Sequence, residues 1–149
     1  MKKYCFILTC LILLIPFTIY AQTAAELEIL MNAPSVTYAK AALFVLGSAG
    51  IGGSSLNSEE AFNLAVSNGW LTKAASDDAV RLDKLSYLIM KAFNINGGLM
   101  YILFPGPRYA YRTMISRSFI QGASDPSMTV DGRRFLLILG RVLNTAGDR

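Results

Sequence analysis

Residues 110–143 read AYRTMISRSFIQGASDPSMTVDGRRFLLILGRVL, and this stretch decides the fold. Ala110-Tyr111 and Met114-Ile115 recur at the three-to-four spacing that puts apolar side chains on one helix face. Pro107 is placed as the first residue of that helix, which is expected to end near Ser116. Ser118-Phe119-Ile120-Gln121-Gly122 and Asp125-Pro126 break the periodicity and read as loop. Asp131 then supplies the short side-chain oxygen that caps a helix, predicted from Gly132 to about Leu143.

The same order of features occurs about 49 residues earlier, with a slip of one residue in the loop. Ala61-Phe62 and Ala65-Val66 precede Gly69-Trp70-Leu71, then Asp77. Asp83 follows as the expected cap of a helix whose Leu85, Leu88, Ile89, Ala92 and Phe93 form one stripe. The units cover about residues 57–93 and 107–143, and residues 35–47 read as a truncated third. A helical hairpin of this size cannot bury its apolar stripe alone, so such units stack. Trp70 and Phe119 hold equivalent places and are expected to plug the gap between paired helices. An aromatic on a glycan-binding face is the alternative for Trp70.

Elsewhere, Thr23-Ala24-Ala25-Glu26 has capping-box spacing for a helix through about Met31, and Ser35 is positioned to cap a helix to about Leu46. Asn57 with Glu60 opens another helix, closed by Gly69. Residues 47–55 are rich in Gly and Ser and read as a loop. Leu99 to Phe104 form a short helix apolar on every side, which places it at the centre of the core or under a partner. No period-two strand is visible, so the chain is expected to be all-α, with repeated helical hairpins packed in one small domain.

The second unit resembles an S-layer homology (SLH) module, a helix-loop-helix with a Gly-Ile-Ile-Gln-Gly-like turn, an Asp-Gly loop and a Val-Thr-Arg-Ala-Glu-Phe helix opening. Ser118 to Gly122 match the turn, Asp125-Pro126 the loop, and Val130 and Phe135 the frame of the helix opening, with Arg141 at a place often basic. The first unit matches through Gly69-Trp70-Leu71 and Leu82-Asp83. The resemblance implies a helical prism, usually of three modules, that binds a cell-wall polymer. Asp131-Gly132-Arg133-Arg134 stands where the family has Thr-Arg-Ala-Glu; Asp131 can replace Thr as a cap, but the family's contact motif is changed.

The first 21 residues read as a secretory signal peptide: Lys2 and Lys3, an apolar run from about Tyr4 to Tyr20, and small Ala21 at the cut. The run is broken by Pro16 and is shorter than the ~20 residues a span needs, so residues 22–149 are expected as an exported single helical domain, in the periplasm or at the cell surface, with no transmembrane span. Both cysteines, Cys5 and Cys10, lie in the leader. The chain has no histidine. Zinc, thiol and Ser-His chemistry therefore lack their residues, and no metal or cofactor is expected.

Without Lys2 and Lys3 the chain carries 12 basic and 10 acidic residues, too mild a balance to imply nucleic acid. The seven basic residues after Leu99 are all arginine, whose planar fork suits carboxylates and phosphates. Arg108, Arg112, Arg117, Arg133 and Arg134, with Trp70, are the candidate ligand-binding residues. They point to a non-catalytic envelope protein that binds an anionic cell-wall or surface glycan. A helical adaptor docking an envelope protein through Leu99 to Phe104 is the alternative. A carboxylate-based glycoside hydrolase using Asp77, Asp78, Asp83 or Asp125 is a minor one.

Overall fold

In a computed structural model, residues 25–53, 56–72 and 76–147 are described, and their regular structure is all α-helical. The expected leader, the Thr23 cap and residues 73–75 lie outside them. Helix α1 covers residues 25–31; α2 is Tyr38–Ser48, α3 Ser58–Ser67, α4 Leu82–Ala92, α5 Leu99–Leu103, α6 Pro107–Ser116 and α7 Gly132–Gly147. Helix α2 packs on α3 and α4, α4 on α6, and α5 on α6. Phe44 of α2 meets Phe135 of α7 edge-on, ring centroids 6.3 Å apart. None of these helices is long and apolar enough to cross a membrane.

Three valines organise the centre. Val36, Val80 and Val130 each stand immediately before the residue that opens a helix, and all three are wholly buried. The Val36 amide donates to the Val130 carbonyl at 2.8 Å, the Val130 amide to Val80 at 3.2 Å, and the Val80 amide to Val36 at 2.7 Å. The cycle is closed, so each buried donor and acceptor has a partner, which a buried backbone requires.

The ring also serves the helices it opens. The first amides of a helix have no intrahelical acceptor. Here Tyr38 donates to the Asp78 carbonyl at 3.0 Å, Leu82 to Met128 at 2.9 Å and Gly132 to Ala33 at 3.0 Å. One residue further in, Ala39 reaches Ser76 at 3.0 Å and Asp83 reaches Pro126 at 2.9 Å. Each helix start is thereby satisfied by the loop before another helix.

This corrects two of the expected caps. Thr37, not Ser35, caps α2 by accepting from the Lys40 amide, because residues 36 and 37 are drawn into extended pairing with Ala79. Helix α4 starts at Leu82, with Arg81 at the cap position and paired with Thr129, so Asp83 lies inside the first turn. Asn57 and Glu60 form the full capping box, Pro107 is the first residue of α6, and the Asp131 carboxylate accepts the Arg134 amide at 2.8 Å.

The helix ends match as well. After α3, Trp70 and Leu71 both donate to the Ala65 carbonyl; after α6, Phe119 and Ile120 both donate to Met114. Gly69 (φ 70°) and Ser118 (φ 61°) occupy the same left-handed position, which costs a serine more than a glycine.

The connection after α1 is the exception. Only Asn32 to Pro34 and Ser35 separate α1 from Val36, whereas about thirteen residues separate α3 from Val80 and α6 from Val130. The short connection presses the end of α1 against the first turn of α7. A Cβ at position 132 would overlap the Leu30 carbonyl oxygen, while one at Gly140 would meet open space. Gly132→Ala is expected to lower stability by ~1–3 kcal/mol, and Gly140→Ala to raise it by ~0.5–1 kcal/mol; thermal unfolding of the two variants checks both signs.

Candidate functional site

The arginines of the C-terminal half divide into two groups. Arg117, just past α6, donates to the Asn96 carbonyl at 2.6 Å and so ties the α4–α5 connection to α6. Arg134 donates to the Ala123 carbonyl at 3.1 Å, the Gln121 carbonyl at 3.5 Å and the Met128 sulfur at 3.1 Å. Its guanidinium is the brace of the α6–α7 loop. Arg141 does similar service at the Phe119 carbonyl, 3.0 Å away. Arginine suits this work because its donors form a fixed fork that can satisfy several carbonyls together.

Arg108, Arg112 and Arg133 are exposed, and their guanidiniums have no hydrogen bond or ion pair among the described residues. Arg108 and Arg112 are four apart on α6 and share a face. Arg112 borders a shallow cleft with Leu99, Met100, Tyr101 and Tyr109. Arg133 is in the first turn of α7, where a cation gains nothing from the helix dipole. Of the candidate arginines, these three are the ones whose guanidinium is engaged by no described residue.

Trp70 is half-buried and packed against the core, below the end of α3, with Leu71 beside it fully buried. Phe119 is buried at the matching place after α6. The ring thus fills the interior and leaves an edge at the surface.

The carboxylates are engaged locally. Asp83 accepts from the Arg81 guanidinium at 3.0 Å, the one ion pair among the described residues, and from the Lys84 amide at 2.8 Å. Asp125 accepts from both the hydroxyl and the amide of Ser127, the latter at 2.8 Å. Those bonds, helped by the field of Arg81, hold its carboxyl below the usual carboxylate range. A general acid needs the opposite shift. Asp77 and Asp78 are exposed; the Asp78 backbone carbonyl holds the Tyr38 amide. No group of three His, Cys, Asp or Glu side chains among the described residues is arranged to hold a metal ion.

Helix α5 departs from the expectation of core burial. None of its residues is buried: Leu99 is 71% exposed, Ile102 67% and Phe104, just past its end, 62%. Only Tyr101 turns inward, its ring edge-on to Tyr87 at 6.4 Å. The chain from Gly97 to Gly106 leaves α4 and returns at α6 as a projecting arm. An all-apolar pattern signals burial without saying by what, which is why the sequence left two outcomes open.

Compared with family models, curated proteins and solved structures, the chain finds no match in any of the three.

Arg134→Ala is expected to destabilise the domain by ~1–2 kcal/mol through lost bonds to the loop, and Arg133→Ala by less than ~0.5 kcal/mol, as read by denaturant unfolding. The lowered pKa of Asp125 also fixes a sign. Its contribution is full above the ordinary value of 3.8 and disappears as pH falls through the lower folded value. The gap in melting temperature between the native chain and Asp125→Ala is therefore expected at neutral pH and to close well below pH 3.8.

Proposed function

We propose that the protein is an exported, non-catalytic envelope module with an SLH-like plan, which holds an anionic cell-wall or surface polymer through Arg108, Arg112 and Arg133. The observation that carries this reading is the division of the arginines: Arg117, Arg134 and Arg141 bond to backbone carbonyls, and these three are exposed with no partner among the described residues. Bidentate donation to carboxylate or phosphate is what a free guanidinium does best. Trp70, with its exposed edge, is the remaining candidate for contact with a sugar ring.

The SLH-like part of the proposal rests on the valine cycle. Three Val residues at one place before three helices, linked head to tail, suit a three-unit plan in which residues 25–48 form a complete though shortened first unit. The matched closures after α3 and α6 support reading those units as repeats. The glycine at 132, where the family has Arg, then has a physical reason: the Leu30 carbonyl leaves no room for a side chain there. A hydrolase reading is weakened by Asp83 and Asp125, each held by its own neighbours. A second reading, a helical adaptor docking an envelope protein, is favoured by the exposure of α5.

Purified chain spun with cell-wall sacculi is expected to co-sediment at low salt and to be released as salt rises, since exposed charge contacts are screened. Replacing Arg108, Arg112 and Arg133 together by Ala is expected to weaken retention about tenfold, the equivalent of ~1.4 kcal/mol. Retention unchanged by salt and by the triple substitution would refute polymer binding through these arginines.

A further inference from the structure

We infer that the projecting arm around α5 is a lipid-surface anchor, inserting into the interfacial region of an anionic bilayer. Three observations point to that occupant. First, the apolar exposure is contiguous: Leu99, Met100, Ile102, Leu103 and Phe104 are each more than half exposed. Soluble surfaces scatter such residues singly, and a contiguous patch marks an interaction.

Second, the geometry suits a fluid cover better than a groove. At 100° per residue, Leu99, Met100, Ile102 and Leu103 spread over roughly 160° of the helix circumference, opposite Tyr101. A helix docking in a protein groove presents a stripe and keeps a polar back. Here the whole outward side is apolar, and a bilayer can cover it from every direction. Five residues cannot span the hydrocarbon, so the arm lies in the interface plane. Tyr109, apolar in body and polar at the tip, lies beside Phe104 with ring centroids 6.5 Å apart and is the kind of side chain that gathers at membrane interfaces.

Third, the chain on both sides of the arm carries charge of one sign. From Lys84 to Ser124 there is no Asp or Glu, while Lys84, Lys91, Arg108, Arg112 and Arg117 all fall in that stretch. Arg108 and Arg112 are exposed on α6, the helix α5 packs against. Apolar insertion beside exposed cations is the pairing that gives reversible attachment to anionic lipid. The inference shares Arg108 and Arg112 with the polymer reading but rests on a different contact, the apolar side chains of α5, which the tryptophan reporters read by themselves.

The test uses the full chain with Trp70→Phe and Phe104→Trp, so that the sole tryptophan reports from the arm whatever other segments do. With phosphatidylglycerol vesicles its emission is expected to shift to the blue and to be quenched by brominated acyl chains, with little change in phosphatidylcholine alone. Adding Arg108→Ala and Arg112→Ala is expected to weaken the response about thirtyfold, at roughly one kcal/mol per cation near an anionic surface. A second reporter, Leu103→Trp in the same Trp70→Phe background, must respond alike. Emission unmoved by vesicles at either position overturns the inference. A blue shift that follows protein concentration without lipid, or that requires a co-purified protein, also overturns it and assigns the arm to a protein contact.

Discussion

A buried backbone amide that leaves water must find an acceptor, and three of them in this domain find one another. The cycle through Val36, Val80 and Val130 is a small set of bonds, yet the three longer elements α2, α4 and α7 all begin from it. Because each valine both gives and receives, the bonds polarise one another in the same sense. Because the side chains are wholly buried, the cycle is dry. The helix openings then borrow acceptors from neighbouring loops, which is how α4 begins well with Arg81, a residue that offers no side-chain cap.

Much of this was legible in the chain, and the failures have a common origin. Where a helix boundary is set by local chemistry, the residues announce it: the Asn57-Glu60 capping box, Pro107 at a helix start and Asp131 as a cap all stand as expected. Where the boundary is set by the cycle, local signals mislead. Ser35 is as good a cap as Thr37 in isolation, and Asp83 better than Arg81, but pairing of Thr37 with Ala79 and of Arg81 with Thr129 keeps the chain extended up to α2 and α4. Helix α5 fails differently: its pattern is read correctly as apolar, but none of the described residues covers its outward side.

The candidate site was legible as a composition and not as an arrangement. Seven arginines in the last third of the chain raise the expectation of anion recognition, but sequence alone cannot separate a guanidinium that braces a loop from one that faces water. Arg133 and Arg134 are adjacent and opposite in role, because successive residues on a helix point about 100° apart and only one of the two directions meets the carbonyls of residues 121 and 123. Position in the helix, rather than residue type, assigns the work.

The cycle also orders events in time. Its edges from Val36 to Val80 and from Val80 to Val130 join neighbouring segments, 44 and 50 residues apart, but the edge from Val130 back to Val36 joins residues 94 apart. Closing that span costs about 0.6 kcal/mol more than closing either of the others. Until residue 130 is in place the Val36 amide lacks its acceptor, although the first amides of α2 already have theirs at Ser76 and Asp78. A chain built this way seals its centre only when its final third is in place.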